Sequence, residues 1–166
     1  MARIGLLSDS HGQLEKTRQA VKILIGHGVQ RIIHLGDICD KKVLDELVAG
    51  QVGSVSVHVV FGNMDIDPDG LGDHAKEMGI HVDHPMGRVD LDGKVCVFTH
   101  GHIDKLLEAA LAESVDYLFH GHTHVARDSR VGATRVINPG ALFRASRYTV
   151  ALLESEIDEL SFYTVS

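Results

Sequence analysis

Residues 118–124 read Leu118-Phe119-His120-Gly121-His122-Thr123-His124. Three imidazoles fall within five positions, directly after an apolar run, 116–119, that predicts a buried strand. Neutral imidazole is the commonest metal-binding side chain. On an extended backbone His122 and His124, two positions apart, would point to one side of the chain. Alone, the cluster fits a polar loop after a strand equally well. Its meaning depends on what the rest of the chain brings beside it.

Upstream, residues 3–9 form a short apolar run ending at Asp9, which reads as a buried strand. Leu14, Val21, Leu24 and Ile25 predict a helix that stops near Gly26 and Gly28. A strand over 31–35 ends at Gly36-Asp37, and a helix over 41–48 follows with Asp40 placed to cap it. A third strand, 54–61, ends at Gly62-Asn63. This β-α-β-α-β rhythm predicts a largely parallel sheet with crossover helices. Residues 66–87, rich in Gly, Asp and His, are expected to form a loop with one short helix around 74–78.

Asp92-Gly93, the dipeptide of a type I′ turn, separates strand patterns at 88–91 and 94–99 and predicts a hairpin. The second of these strands ends at His100-Gly101-His102. A helix is predicted over 104–114, with Ile103, Leu106, Leu107, Ala110 and Leu111 on one face. After the histidine cluster, strands at 125–130, 134–137, 148–154 and 160–165 are expected to be antiparallel. No repeat or linker interrupts the pattern, so residues 1–166 are expected to form one domain with two sheets.

Composition narrows the function classes. With 44% hydrophobic and 23% charged residues the chain reads as an ordinary globular protein. No apolar run has the length of a membrane span, about 18 residues, so no membrane association is expected. The N-terminus lacks a signal-peptide pattern, and Cys39 and Cys96 form no disulfide framework. Both observations point to the cytoplasm. A formal charge of -7 and 5% aromatic residues argue against general nucleic-acid binding. The unusual count is 12 histidines.

Five predicted strands end alike: Asp9-Ser10-His11, Gly36-Asp37, Gly62-Asn63, His100-Gly101-His102 and Gly121-His122-Thr123-His124. Each puts a metal-capable side chain just past an apolar run, and in α/β sheets the carboxyl ends of strands share one ligand-binding crevice. A single Gly-Asp or Gly-Asn is more often a turn than a ligand. Five at successive strand ends are not explained by turns.

The ordered set D-x-H, G-D-x-x-D, G-N-x-D, H-G-H and G-H-T-H resembles the calcineurin-like metallophosphoesterase superfamily, in size its small bacterial and archaeal phosphodiesterases. Asn138-Pro139-Gly140-Ala141 and the tail 148–153 are also similar to that family. The resemblance implies an α/β fold of four layers, an αββα sandwich of two mixed sheets flanked by helices. It implies a binuclear site: Asp9, His11 and His124 hold one metal, Asn63, His100 and His122 the other, and Asp37 bridges them. It also implies hydrolysis of a phosphodiester, with a metal-bridging hydroxide as the attacking group. Such ions lie about 3.5–4 Å apart, and a shared carboxylate offsets their repulsion. Mixed nitrogen and oxygen ligation suits two divalent transition-metal ions, manganese first, with nickel, cobalt, iron or zinc as alternatives. Two such ions, two carboxylates and a hydroxide leave about one net positive charge, which attracts a small phosphate-ester substrate.

Many relatives carry histidine after Gly-Asn as general acid, whereas this chain has Met64, which cannot donate a proton. Branches lacking that histidine often favour diesters. The resemblance implies catalytic roles for Asp37 and Asn63, and His102, two residues past a ligand position, reads as a phosphate contact, a substitute acid or an orienting neighbour. Asp40 and Asp65 read as capping or supporting residues, and His120 as a packed histidine. Arg127, Arg130, Arg135, Arg144 and Arg147 crowd one segment that Asp128 alone opposes. They read as a solvated face or as a basic edge turned to substrate or a second subunit, with Arg144 and Arg147 the better candidates. Homo-oligomer formation stays open. A rival reading is a scaffold or protein-interaction module that keeps the fold, as the similar retromer subunit does. Such scaffolds tend to lose a metal-site histidine, and all seven positions are intact here.

Overall fold

Strand β1 (Arg3–Leu7) lies at the centre of the larger sheet because its residues are apolar on both faces. Ile4 and Leu6 turn toward the second sheet, while Leu7 packs among helix residues such as Leu24 and Leu47. Such a strand has to be covered on both sides. The computed structural model describes residues 2–51 and 53–166. β1 continues through α1 (Leu14–Gly26), β2 (Arg31–His34), α2 (Lys41–Val48), β3 (Ser56–Val59), α3 (Pro68–Glu77) and β4 (His81–Val82). The hairpin β5 (Met86–Leu91) and β6 (Lys94–Thr99) follows, then α4 (Asp104–Ala112), β7 (Tyr117–Phe119), β8 (Arg127–Val131), β9 (Thr134–Asn138), β10 (Thr149–Glu154) and β11 (Glu159–Thr164).

One sheet has six strands in the order β11-β10-β1-β2-β3-β4, and the other has five in the order β5-β6-β7-β9-β8. β1 to β4 run parallel, and β10 and β11 add antiparallel edges. Leu6, Ile33, Phe98, Phe119 and Ile137 fill the space between the sheets. Leu24, Leu44, Leu47 and Leu71 cover the outer face of the first sheet, and Ala110, Leu118 and Val136 join α4 to the outer face of the second. The architecture is thus the expected αββα sandwich, α/β with two mixed sheets and four helices among the described residues.

Asp92 and Gly93 both take positive φ, 54° and 81°, as the type I′ hairpin turn requires. The expectation for 66–87 needs correcting, since α3 runs ten residues from Pro68 and β4 adds an edge strand. Gly70 and Gly72 hide that helix from propensity, but Asp67 caps it by accepting from the Gly70 amide at 2.9 Å, and Pro68 stands in the first turn. Leu71 and Ala75, one turn apart, are its buried face. β9 also departs from the expected antiparallel pairing, running parallel to β7 and antiparallel only to β8.

The loops after β2 and β3 are tied together by one buried carboxylate. Asp65 Oδ2 accepts from the Asp37 and Gly62 amides at 2.9 and 2.8 Å, and Oδ1 accepts from the Cys39 amide at 2.7 Å. Asp65→Ala should strand these three donors, at about 1–3 kcal/mol for each left unsatisfied. Asp65→Asn, which can still accept at one oxygen, should lose less. Urea denaturation of both variants checks this, and equal losses would remove Asp65 from its role in pinning the loops.

Candidate metal centre

The side chains expected at the site sit on tight loops at the carboxyl ends of β1, β2, β3, β6 and β7. These loops are bonded to one another: the Asp9 amide donates to Gly36 O, the His11 amide to Asp37 O and the Gly121 amide to His100 O, at 2.9–3.0 Å. Asp9, His11, Asp37, His122 and His124 all have φ between 42° and 67°, in the left-handed region. For residues other than glycine that conformation is strained, and such strain gathers at functional sites where surrounding contacts enforce it.

Asp9 and Asp37 are buried and face the same point. His124 Nε2 is 3.1 Å from Asp9 Oδ1, and the Nε2 atoms of His11 and His100 are each 3.4 Å from Asp37 Oδ2. One ligand atom from each of Asp9, His11, Asp37 and His124 falls within 4.8 Å of the others. The rings of His122 and His102 stand 5.2 and 5.3 Å from that of His100. Asn63 is exposed, next to Gly62. A side chain at Gly62 would put its Cβ 2.1 Å from Asp37 Oδ1 and 2.7 Å from His100 Nε2, so only glycine allows that approach.

The rings are aimed from behind. His100 Nδ1 donates to the Leu35 carbonyl at 2.7 Å, and His124 Nδ1 to the Arg144 carbonyl at 3.3 Å, which leaves each Nε2 lone pair turned into the cluster. Asp9 Oδ2 accepts from Ser8 Oγ at 2.5 Å and from the His122 amide at 3.0 Å, so Oδ1 is the free oxygen. Asp9 Oδ1, His11 Nε2 and His100 Nε2 are buried and lack a hydrogen-bond partner. Buried polar atoms are ordinarily paired. Unpaired acceptors of two kinds, converging on two carboxylates, are what a divalent cation requires, so these residues fit a metal.

The electrostatics agree. Burial raises the Asp37 carboxyl, but the neighbouring His100 and the Met64 amide outweigh it and pull the pKa down to about 2. Asp9 is also raised by burial, yet held below the ordinary carboxylate range by His11, Ser8 and the charges of His100 and His124. His102 is lowered by burial and by His100 and His122, so its imidazole is neutral near pH 7.

Other residues support the cluster; of these His34 carries no signal in the sequence, and Asn138 enters it only within the 138–141 motif. His34 is fully buried at the end of β2. Burial drives its pKa to about 4, and its neutral ring accepts from the Gly36 amide at 3.1 Å while facing Ser10 Oγ at 2.9 Å. Asn138 Nδ2 donates to Gly121 O and Thr123 Oγ1, both at 3.0 Å, and so braces the histidine loop. Asp40 caps α2 through the Lys42 amide, and His120 is buried beside β7. In the basic segment the expectation of a lone opposing Asp128 is corrected, because Asp158 also takes Arg130 and Arg135.

Comparison with known proteins agrees with this geometry. Phosphodiesterase MJ0936 of Methanocaldococcus jannaschii is 28% identical over 95% of both chains, and phosphodiesterase YfcE of Escherichia coli is 27% identical over 86% of this chain and 80% of its own. The solved structure of an archaeal phosphodiesterase superposes with a TM-score of 0.85, covering 98% of this chain and 99% of that one. Vps29 of Entamoeba histolytica, complexed with zinc, has the same fold at a TM-score of 0.64 and 21% identity, over 98% of this chain and 91% of its own. Residues 2–158 match the calcineurin-like phosphoesterase superfamily domain, and the chain belongs to that family.

Proposed function

We propose that this protein is a metal-dependent phosphodiesterase acting on small phosphate diesters. The observation that carries this reading is the convergence of three unpartnered buried atoms, Asp9 Oδ1, His11 Nε2 and His100 Nε2, beside the Asp37 carboxylate. Asp9, His11, Asp37 and His124 would surround one divalent ion, and Asp37, Asn63, His100 and His122 a second, manganese ahead of iron, cobalt, nickel or zinc. When bound, two such ions would polarise the phosphoryl oxygens and supply hydroxide at neutral pH. Asp37, belonging to both sets and ionised throughout the neutral range, holds the two halves of the site together. Asn63 offers a neutral amide oxygen that does not repel the phosphate.

His102 keeps a depressed pKa, which suits a hydrogen bond to a phosphoryl oxygen better than delivery of a proton to a leaving group. Met64 is 48% exposed beside the cluster and delivers none either. A site without a strong acid favours esters whose leaving group departs unaided. The scaffold reading is weaker because all seven ligand positions are filled by ligating residues. No helix of the described residues is long and apolar enough to cross a membrane. Residues 1–166 are read as one domain acting in the cytoplasm, and the formal charge of -7 disfavours nucleic acid as a partner.

Two measurements test this. Metal analysis of Asp37→Asn and His122→Ala should show depleted metal together with kcat/KM at least about a hundredfold lower, beyond what the loss of a supporting residue costs. Full activity in either variant would sink the ligand assignment. A p-nitrophenyl diester should turn over faster than the monoester of the same leaving group, and a strong monoester preference would count against the diester reading.

A further inference from the structure

Beside the cluster a groove of about 670 Å³ opens from His124 and runs between Val125, Arg144, Arg147, Thr149 and Phe162. Its charge is uneven for a reason. Of the five arginines in this segment, Arg135 is clamped by Asp128 and Asp158, Arg130 pairs with Asp158, and Arg127 lies against Ser129 and His120. Among the described residues no carboxylate contacts Arg144 or Arg147, and both line the groove. In a chain of formal charge -7, these two guanidinium groups concentrate positive charge beside the centre.

Arg144 is also built into the centre. Its carbonyl accepts from His124 Nδ1, its backbone is left-handed at φ 45°, and its guanidinium lies 5.1 Å above the Phe143 ring. That ring is 4.7 Å from the His11 ring. The backbone of Arg144 is thereby tied to His124, and its guanidinium lies over a ring that packs against His11. The scissile phosphate of a diester carries one negative charge, which a centre of about one net positive charge already balances. Two further cations in a groove leading away from that centre suit charge carried elsewhere on the substrate.

We propose that the groove receives one ester arm of the substrate and that Arg144 and Arg147 bind a second anionic group on that arm, a phosphate or a carboxylate. The substrate class is then a phosphodiester with one further acidic group. This inference rests on the phosphodiesterase reading above, and its test separates the two.

Two p-nitrophenyl diesters differing only in the other arm, one ending in a hydroxyl and one in a phosphate, are compared on the metal-loaded protein. The charged arm should raise kcat/KM about tenfold, the gain of one good charge-assisted contact. In Arg144→Gln and Arg147→Gln the ratio between the two substrates should fall toward one, whereas Arg144→Lys keeps part of it. Arg130→Gln, which removes the same charge outside the groove, should keep the full ratio. An equal loss on both substrates, with the ratio unchanged, would place the arginines on the scissile phosphate and overturn the proposal. A second readout needs no turnover: propyl phosphate should bind the metal-free protein, as followed by calorimetry, and binding should weaken at least about fivefold in the Gln variants. Hydrolysis of neither diester, with arginine-dependent propyl phosphate binding intact, would overturn the phosphodiesterase reading and support the groove. Binding that survives both substitutions would overturn the groove.

Discussion

Two carboxylates, Asp9 and Asp37, are buried together at the ends of adjacent parallel strands, and the rest of the centre is arranged around that charge. Ionised carboxylates in a protein interior are costly unless paired and hydrogen-bonded. Here each has one oxygen engaged with its own surroundings: Asp9 Oδ2 by Ser8 and the His122 amide, Asp37 Oδ1 by the Met64 amide. The remaining oxygens, Asp9 Oδ1 and Asp37 Oδ2, face imidazole nitrogens whose opposite ring atoms are occupied by backbone carbonyls at His100 and His124. Carbonyl acceptors on the far side hold the proton on Nδ1 and turn the Nε2 lone pairs inward. The loops are thereby specified by a charge they must surround rather than by packing alone.

That requirement explains where the fold spends its strain. Five of the residues at the centre hold left-handed backbone, an arrangement that costs about 1–3 kcal/mol at each such position. The parallel strands β1 to β3, filled on both faces by Leu6, Leu7, Ile32 and Ile33, give a rigid base against which the loops bend. Asp65 and Asn138 then act as braces, the first between the β2 and β3 loops and the second behind the histidine loop. Rigid strands and cross-linked turns of this kind are what a site needs to hold its side chains within about 0.5 Å of a working geometry.

Much of this was legible in the sequence, and the unread parts share a cause. Periodicity reads elements whose burial is one-sided or complete, so β1, α1, α2 and the Asp92-Gly93 hairpin fall where expected. α3 is expected only as a short helix around 74–78 because its apolar face is only Leu71 and Ala75, with two glycines in the first turns, and the signal for its true start lies in Asp67-Pro68. The matching strand ends pointed to Asp9, His11, Asp37, His100 and His124, and the structure brings their side chains together. His34 and Asn138 act by holding Ser10 and Gly121, and a hydrogen bond between residues far apart in the chain leaves no local spacing to find. The basic segment was half legible: the arginines were visible, but Asp158, which silences two of them, lies far along the chain at the β10–β11 turn.

That pairing is what gives the remaining charge its meaning. An acidic protein repels phosphate esters at long range, and at about 0.15 M salt such fields fade within about 8 Å. Attraction must then come from cations at the site itself. The geometry offers two sources at different positions, the cluster around Asp37 that could hold metal ions and the guanidinium groups of Arg144 and Arg147 beyond His124. Met64 lies at the rim of a different hollow, where Asp40, Asp67 and Lys41 stand beside Ile66 and Leu71. The surroundings of the centre are therefore asymmetric, with two guanidinium groups on one side and a hollow of mixed character, carrying two carboxylates, on the other. A diester has two arms to place and a monoester only one. An asymmetric site discriminates between those arms, and Met64, which gives no proton to either, leaves the choice of which bond breaks to leaving-group chemistry and to the side each arm occupies.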